Sequence, residues 1–338
     1  MAYPGRVADS LGGPGFAVVE AARDAIAHHR MLDPGNTVVL GISGGPDSLC
    51  LLDVLARLAT QEDYELVVCH VDHALSDRSE SVSARVAKIT AEAGFDVHVA
   101  RAHDLAGPNL HARARDFRYG FFETIASEVG AEKIATGHTL DDRVETTIAR
   151  LVHGASTEGL AGIPPAAGDR IRPLIGVRRA ETRAYCEERA LEFFDDPSND
   201  DERFDRAVIR ADLIPAIERR WGEGATRAIA EAADRLRDDA DALSYLADRL
   251  YKDIGRADGD GGLVIDRALL TEMPRALRRR VLERAVGRIR DRSGGIEAAL
   301  SALDRGGISQ RFAVASGIEI TLEETKVRVS NADRFHRS

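Results

Sequence analysis

Short apolar runs and longer helical stripes alternate along the first half of the chain. Residues 38–42 (Val-Val-Leu-Gly-Ile) and 66–71 (Leu-Val-Val-Cys-His-Val) are apolar stretches of strand length, the mark of strands covered on both faces in a parallel sheet. Residues 97–99 and 133–136 read as two more. Between them lie stretches of helical period: 16–29, with Val18, Val19, Ala22 and Ile26 on one face, then 49–58, 79–93, 109–129 and 140–152. Gly94, Gly130 and Gly154 sit where glycine caps the end of a helix. This order predicts an α/β fold with a doubly wound, mostly parallel sheet whose ligands lie at the carboxyl ends of its strands.

The second half has a different rhythm. Residues 159–172 read as a Gly/Pro loop, 171–174 as an edge strand, 178–189 as a helix and 195–201 as a turn. Residues 204–253 are helical with a break near Trp221-Gly222, and 255–262 form a flexible break. Helices over 274–289 and 296–303 follow. Residues 311–314, 318–322 and 326–329 alternate at period two and predict a small terminal sheet. Three segments are therefore expected: an α/β domain over 1–217, a helical domain over 218–305 and a β-containing segment over 306–338.

Composition narrows the class. The 338 residues are 44% hydrophobic and 30% charged, and no run approaches the roughly 18 apolar residues of a membrane helix. The N-terminus lacks the plan of a signal peptide, so a cytoplasmic, membrane-free protein is expected. Cys50, Cys69 and Cys186 are dispersed and odd in number, which speaks against a disulfide framework, a zinc site or an iron-sulfur cluster. The net charge of −10 is unevenly spread: from Arg203 onward there are 26 basic and 23 acidic side chains, against 20 and 33 before it. An acidic front and an arginine-dense rear are compatible with RNA docking on the rear half.

The chemistry gathers at strand ends. Ser43-Gly44-Gly45-Pro46-Asp47-Ser48 follows the first apolar strand and opens a helix. Glycines allow the sharp turn, proline suits the first helical turn, and amides at the positive end of the helix make an anion cradle. Ser43 and Ser48 add hydroxyls, and Asp47 could hold magnesium. No lysine follows, so this is neither the GK[ST] phosphate loop nor the dinucleotide GxGxxG. An ordinary strand-turn-helix connection is the plain alternative. His70, Asp72 and His73 end the second strand, as scaffolding or as part of a nucleotide pocket.

Gly137 and His138 end the fourth strand, and Asp142 and Glu145 follow at spacings of four and three. The three ionisable groups are expected on one helix face, suited to magnesium, an ammonium group or proton removal from an amine; an N-cap is the competing role. Arg115 and Arg118 lie one turn apart, as do Arg206 and Arg210, and either pair suits phosphate or a solvated face.

Taken jointly, these residues resemble the PP-loop ATP pyrophosphatase superfamily and, within it, the tRNA(Ile)-lysidine synthetase family. The loop Ser43-Gly44-Gly45-Pro46-Asp47-Ser48 is similar to the superfamily's SGGxDS. The narrower likeness is the ordered set His70-Val71-Asp72-His73, the helix from Asn109 to Tyr119, Ala135-Thr136-Gly137-His138 with Asp142 and Glu145, Arg172-Pro173-Leu174, Asp196-Pro197-Ser198-Asn199, and Arg206 with Ile209-Arg210. Asp72 replaces a usual asparagine, Gly137 a usual Ala or Ser, and Ala207 an asparagine.

The resemblance implies ligation of free L-lysine to the wobble cytidine of tRNA(Ile) with a CAU anticodon, through an adenylated cytidine, with ATP cleaved to AMP and pyrophosphate. It implies ATP bound by Ser43, Gly44, Gly45, Pro46, Asp47, Ser48, His70, Asp72, His73 and Gly137, with Mg2+ on Asp47. Asp47, His138, Asp142, Glu145, Arg206 and Arg210 would be catalytic. Arg115, Arg118, Arg278 and Arg279 would meet tRNA, and a homodimer is admitted. The rivals are a PP-loop tRNA thiolase acting on cytidine and a non-catalytic nucleotide or RNA-binding module.

Overall fold

The structure is a computed structural model and describes residues 11–72, 79–102, 110–194, 205–258, 262–287, 294–314 and 317–331. His73, Asn109, the turn at 195–201 and Phe204 lie outside the described residues. Two compact units are present, residues 1–234 and 235–338.

The first unit runs α1 (Gly13–His28), β1 (Thr37–Gly41), α2 (Pro46–Glu62), β2 (Glu65–Asp72), α3 (Ser79–Glu92), β3 (Val97–Arg101), α4 (Leu110–Val129), β4 (Lys133–Thr136) and α5 (Leu140–Val152). A short α6 (Thr157–Leu160) and the strands β5 (Ala166–Ala167) and β6 (Arg170–Ile171) come next, then α7 (Arg179–Glu188) and α8 (Asp205–Val208). A π-helical turn, Ile209–Leu213, joins α8 to α9 (Ile214–Trp221). Pro215 has no N–H to continue an α-helical ladder, and the chain widens by one residue there. The sheet order is β3-β2-β1-β4-β6-β5, parallel except for the β5–β6 pair. The predicted doubly wound, mostly parallel sheet is thus found, with α6 and the β5–β6 hairpin inside the stretch expected to be loop. β1 lies between β2 and β4, so the strand order reverses between β1 and β4. Their carboxyl ends form the crevice where such sheets bind ligands.

Packing fixes that crevice. Val38, Val39 and Leu40 are fully buried between helices, as a continuous apolar run requires. Helix α7 docks on α2 through Asp53, which accepts hydrogen bonds from Tyr185 (2.5 Å), Arg57 (3.0 Å) and Arg189 (3.3 Å). Burial pushes the Asp53 carboxyl up, but these donors outweigh it and hold the group below its ordinary value.

Helix α10 (Gly224–Ile254) crosses into the second unit, which contains β7 (Gly255–Ala257), β8 (Leu263–Asp266), α11 (Arg267–Glu272), α12 (Arg275–Val286), α13 (Gly295–Asp304), β9 (Gln310–Val314), β10 (Ile318–Leu322) and β11 (Lys326–Asn331). Its antiparallel sheet has the order β7-β8-β11-β10-β9. The expected flexible break at 255–262 is corrected in its first part: Gly255–Ala257 pairs with β8. The terminal sheet therefore recruits two strands from before α11.

Candidate active site

The glycine loop ends β1, and its hydrogen bonds close on themselves. The Ser48 hydroxyl oxygen accepts from the amides of Ser43 and Gly44, each at 3.1 Å, and donates to the Gly45 carbonyl at 2.9 Å. The amides of Ser43 and Gly44, expected to cradle an anion, turn inward on the buried Ser48 hydroxyl. Gly44 has φ +89, and a Cβ on it would meet the Phe194 ring at 2.1 Å. Gly137, the residue in place of a usual Ala or Ser, approaches the first turn of α2 so closely that a Cβ would lie 2.8 Å from the Asp47 carbonyl oxygen.

From the neighbouring strand end, α5 brings its acids to the same place. Helix α5 starts at Leu140 with Thr139 as N-cap, so His138 stands in the turn before it, and the expected single helix face is corrected to a face shared by Asp142 and Glu145. Asp142 Oδ2 accepts from the Thr139 amide (2.8 Å) and hydroxyl (2.9 Å), the reciprocal capping arrangement. Asp142 Oδ2 therefore fills the capping role, and Asp142 Oδ1 lies on the side facing α7. There it meets Arg179 Nη2 at 3.0 Å, while Arg179 Nη1 reaches Glu145 Oε1 at 2.9 Å and Arg179 Nε lies 3.5 Å from Asp47 Oδ2. One guanidinium thus sits among three carboxylates.

The protonation states follow from this geometry. Burial raises the Asp47 carboxyl to about 6, against the opposing pull of Thr182 and Arg179. Asp142 is also pushed up by burial, but Arg179, His138 and the Thr139 donors outweigh that and hold it below its ordinary value. His138 is lowered to about 4, first by burial and then, against the pull of Asp142, by Arg172, Arg115 and Arg118. Its imidazole is neutral near pH 7, with Nδ1 2.8 Å from Thr136 Oγ1.

Those three arginines lie near enough to act on His138 electrostatically. Arg115 lies 4.9 Å over the Tyr119 ring, and Arg172 is buried with Nη1 donating to the Pro164 carbonyl at 2.8 Å. Arg172 Nε is buried without a hydrogen-bond partner.

The remaining candidates each have partners of their own. His70 has both ring nitrogens engaged, Nδ1 with the Ile42 carbonyl (2.8 Å) and Nε2 with Ser83 Oγ (3.0 Å), so it braces the strand entering the loop. Asp72 is buried beside Arg101 at 3.6 Å. Arg210 grips both oxygens of Glu145 at 2.7 and 3.0 Å and orients that acid. Arg206 is exposed and donates to Thr146 Oγ1 at 2.9 Å. In the second unit, Arg278 pairs with Asp304 at 2.7 Å and Arg279 with Glu297. Arg179 and Thr182 do not enter the sequence reading, and Arg172 enters it only through the motif Arg172-Pro173-Leu174.

Comparison with known proteins gives a consistent set. Residues 19–217 match the family model described as a PP-loop domain. A tRNA(Ile)-lysidine synthase of Novosphingobium aromaticivorans is 33% identical, covering 97% of this chain and 98% of its own. One from Leifsonia xyli is 35% identical over 77% of this chain and 79% of its own. One from Symbiobacterium thermophilum is 34% identical over 86% of this chain, which spans 64% of that relative's length. Among solved structures, the U34-tRNA thiolase NcsA from Methanococcus maripaludis, with its [4Fe-4S] cluster, aligns with TM-score 0.54 at 20% identity, covering 65% of this chain and 78% of its own. That likeness concerns the fold.

Proposed function

The chain belongs to the tRNA(Ile)-lysidine synthase family of PP-loop proteins, and on that premise we propose that it joins free L-lysine to carbon 2 of the wobble cytidine in tRNA(Ile) with a CAU anticodon. The observation that carries this reading is the cluster at the carboxyl ends of β1 and β4, where Asp47, Asp142 and Glu145 gather around Arg179 next to the glycine loop. The carboxylates suit an ammonium, and the glycine loop suits phosphates.

In the first step the cytidine's 2-oxygen attacks the α-phosphorus of ATP and pyrophosphate leaves. The loop amides of Ser43 and Gly44, released from Ser48, and the positive end of α2 receive the departing charge. Arg206, Arg115, Arg118 and Arg172 are placed to offset charge on the phosphates or RNA. Asp47 fits magnesium as a single carboxylate, since magnesium takes one or two protein carboxylates plus phosphate oxygens and water. A bound magnesium ion would supply electrostatic neutralisation of the pyrophosphate.

In the second step the lysine ε-amine displaces AMP from the adenylated cytidine. Free lysine has an unperturbed pKa of about 10.4 and must lose a proton. Asp142 and Glu145 hold its ammonium, and with His138 they are the groups beside it that can take its proton. The wobble base lies in a single-stranded loop and enters without breaking a duplex. A cytidine thiolase is the weaker reading. Cys50, Cys69 and Cys186 are all buried, and burial raises Cys69 and Cys186 to about 12 and Cys50 well above its ordinary value, which suits core thiols and not sulfur transfer.

The test combines the protein with Mg-ATP, radiolabelled lysine and tRNA(Ile) bearing CAU, with the CAU methionine tRNA as control. Label in the isoleucine tRNA alone is expected. Sulfur transfer without lysine label would favour the thiolase.

A further inference from the structure

Arg179 bridges the start of α2, after the glycine loop, and α5. Its three carboxylate partners come from two elements: Asp47 from the first turn of α2, directly after the glycine loop, and Asp142 and Glu145 from α5. Each keeps another partner without it. Asp142 Oδ2 is held by Thr139, both oxygens of Glu145 by Arg210, and Asp47 Oδ1 by the Thr182 hydroxyl. The carboxylate cage is therefore built independently of the cation inside it.

The backbone beneath Arg179 is also fixed. Its amide donates to Asp141 Oδ2 at 2.7 Å, and Arg178 ties the start of α7 to Asp141, Glu218 and Thr226. The Arg179 side chain is 27% exposed, so it can swing while its helix stays. As it stands, the guanidinium occupies the space a substrate ammonium would take and repels a second cation. Phosphates arriving at the glycine loop beside Asp47 offer it a better geometric match, since guanidinium forks onto phosphate in a bidentate manner.

Building on the lysine-ligase function proposed above, we propose that Arg179 is a positioning residue that couples nucleotide to amine. In the free protein it fills the cation site formed by Asp47, Asp142 and Glu145, and bound nucleotide phosphates draw it off, which opens Asp142 and Glu145 to the lysine ammonium. Lysine is thus admitted after ATP. Reciprocity requires lysine to tighten nucleotide binding by the same factor.

The experiment is calorimetric titration of L-lysine into the full chain, without tRNA, in the presence and absence of Mg2+ with a non-hydrolysable α,β-methylene ATP analogue. In the wild type the analogue should raise lysine affinity about tenfold or more, within the usual range of such couplings. Arg179→Met should bind lysine more tightly than the wild type without analogue and gain nothing from it. Arg179→Lys, which keeps the cation but loses the fork, should retain part of the gain; a purely structural role would not divide the two variants this way. Equal wild-type affinity with and without analogue, or an undiminished gain in Arg179→Met, overturns the coupling. Failure of the wild type to bind lysine under either condition, with no lysine label in tRNA, removes the ligase function itself and the coupling with it. Lysine binding without coupling removes only the latter.

Discussion

At the scale of single residues, Asp142 and Asp47 separate the two steps. Asp142 presents Oδ1 to the amine side and Oδ2 to its own helix cap, so Asp142→Asn keeps the cap and loses the charge that holds an ammonium. We expect pyrophosphate release from ATP and tRNA to persist while lysine transfer falls about a hundredfold or more, measured by parallel pyrophosphate and label assays. Asp47 carries a penalty in the free protein. Burial raises its carboxyl from 3.8 to about 6, so between about pH 4 and 6 the folded chain keeps a proton that the unfolded chain has released. Stability therefore falls as pH rises through that window, and above it the ionised group costs about 3 kcal/mol for a shift of about two units. Asp47→Asn should raise the melting temperature at pH 8, with the gain shrinking towards pH 4, and should abolish ATP cleavage. Unchanged melting temperature at pH 8 would contradict the buried, destabilised carboxylate.

At the scale of elements, α7 matters because it carries Arg179, and α7 is held to α2 by Asp53. Asp53→Ala removes the acceptor shared by Tyr185, Arg57 and Arg189 and should cost about 3–5 kcal/mol, the usual result of breaking a buried charge pair from one side. Urea unfolding measures that loss, and lysine transfer should fall with it. The elements differ in how far sequence discloses them. The glycine loop and the turn before α5 were legible because each is a local sentence: an apolar strand, a turn, a helix start. Arg179 was not, because its carboxylate partners lie 34 and 37 positions away on α5 and still further on α2. One local signal does exist. Arg178 and Arg179 stand at the start of a helix, where the dipole favours acids, and such a pair requires negative charge from elsewhere in the fold. The β7–β8 hairpin was hidden for another reason, since three residues beginning with glycine carry too little pattern to read as a strand.

At the scale of the whole molecule, formal charge and available charge diverge. Arginine density in the rear half suggested an RNA-docking surface, yet Arg275, Arg278 and Arg279 on α12 are met by Glu297 and Asp304 on α13. These pairs staple two helices of the second unit together. Arg115 is in the opposite situation: it belongs to the acidic front half, it is exposed, and among the described residues no carboxylate pairs with it. A phosphate backbone responds to cations that are not already neutralised, because binding releases one set of counterions for each phosphate contacted. The two arginines should therefore part company in a salt titration of tRNA binding. Arg115→Ala should weaken binding and reduce the slope of log affinity against log salt by about one. Arg279→Ala should leave the slope unchanged and cost at most about 1 kcal/mol of stability, as exposed ion pairs do. A reduced slope in Arg279→Ala with an intact slope in Arg115→Ala would return the RNA-docking surface to α12, and would mean that tRNA displaces Glu297 and Asp304 from their arginines.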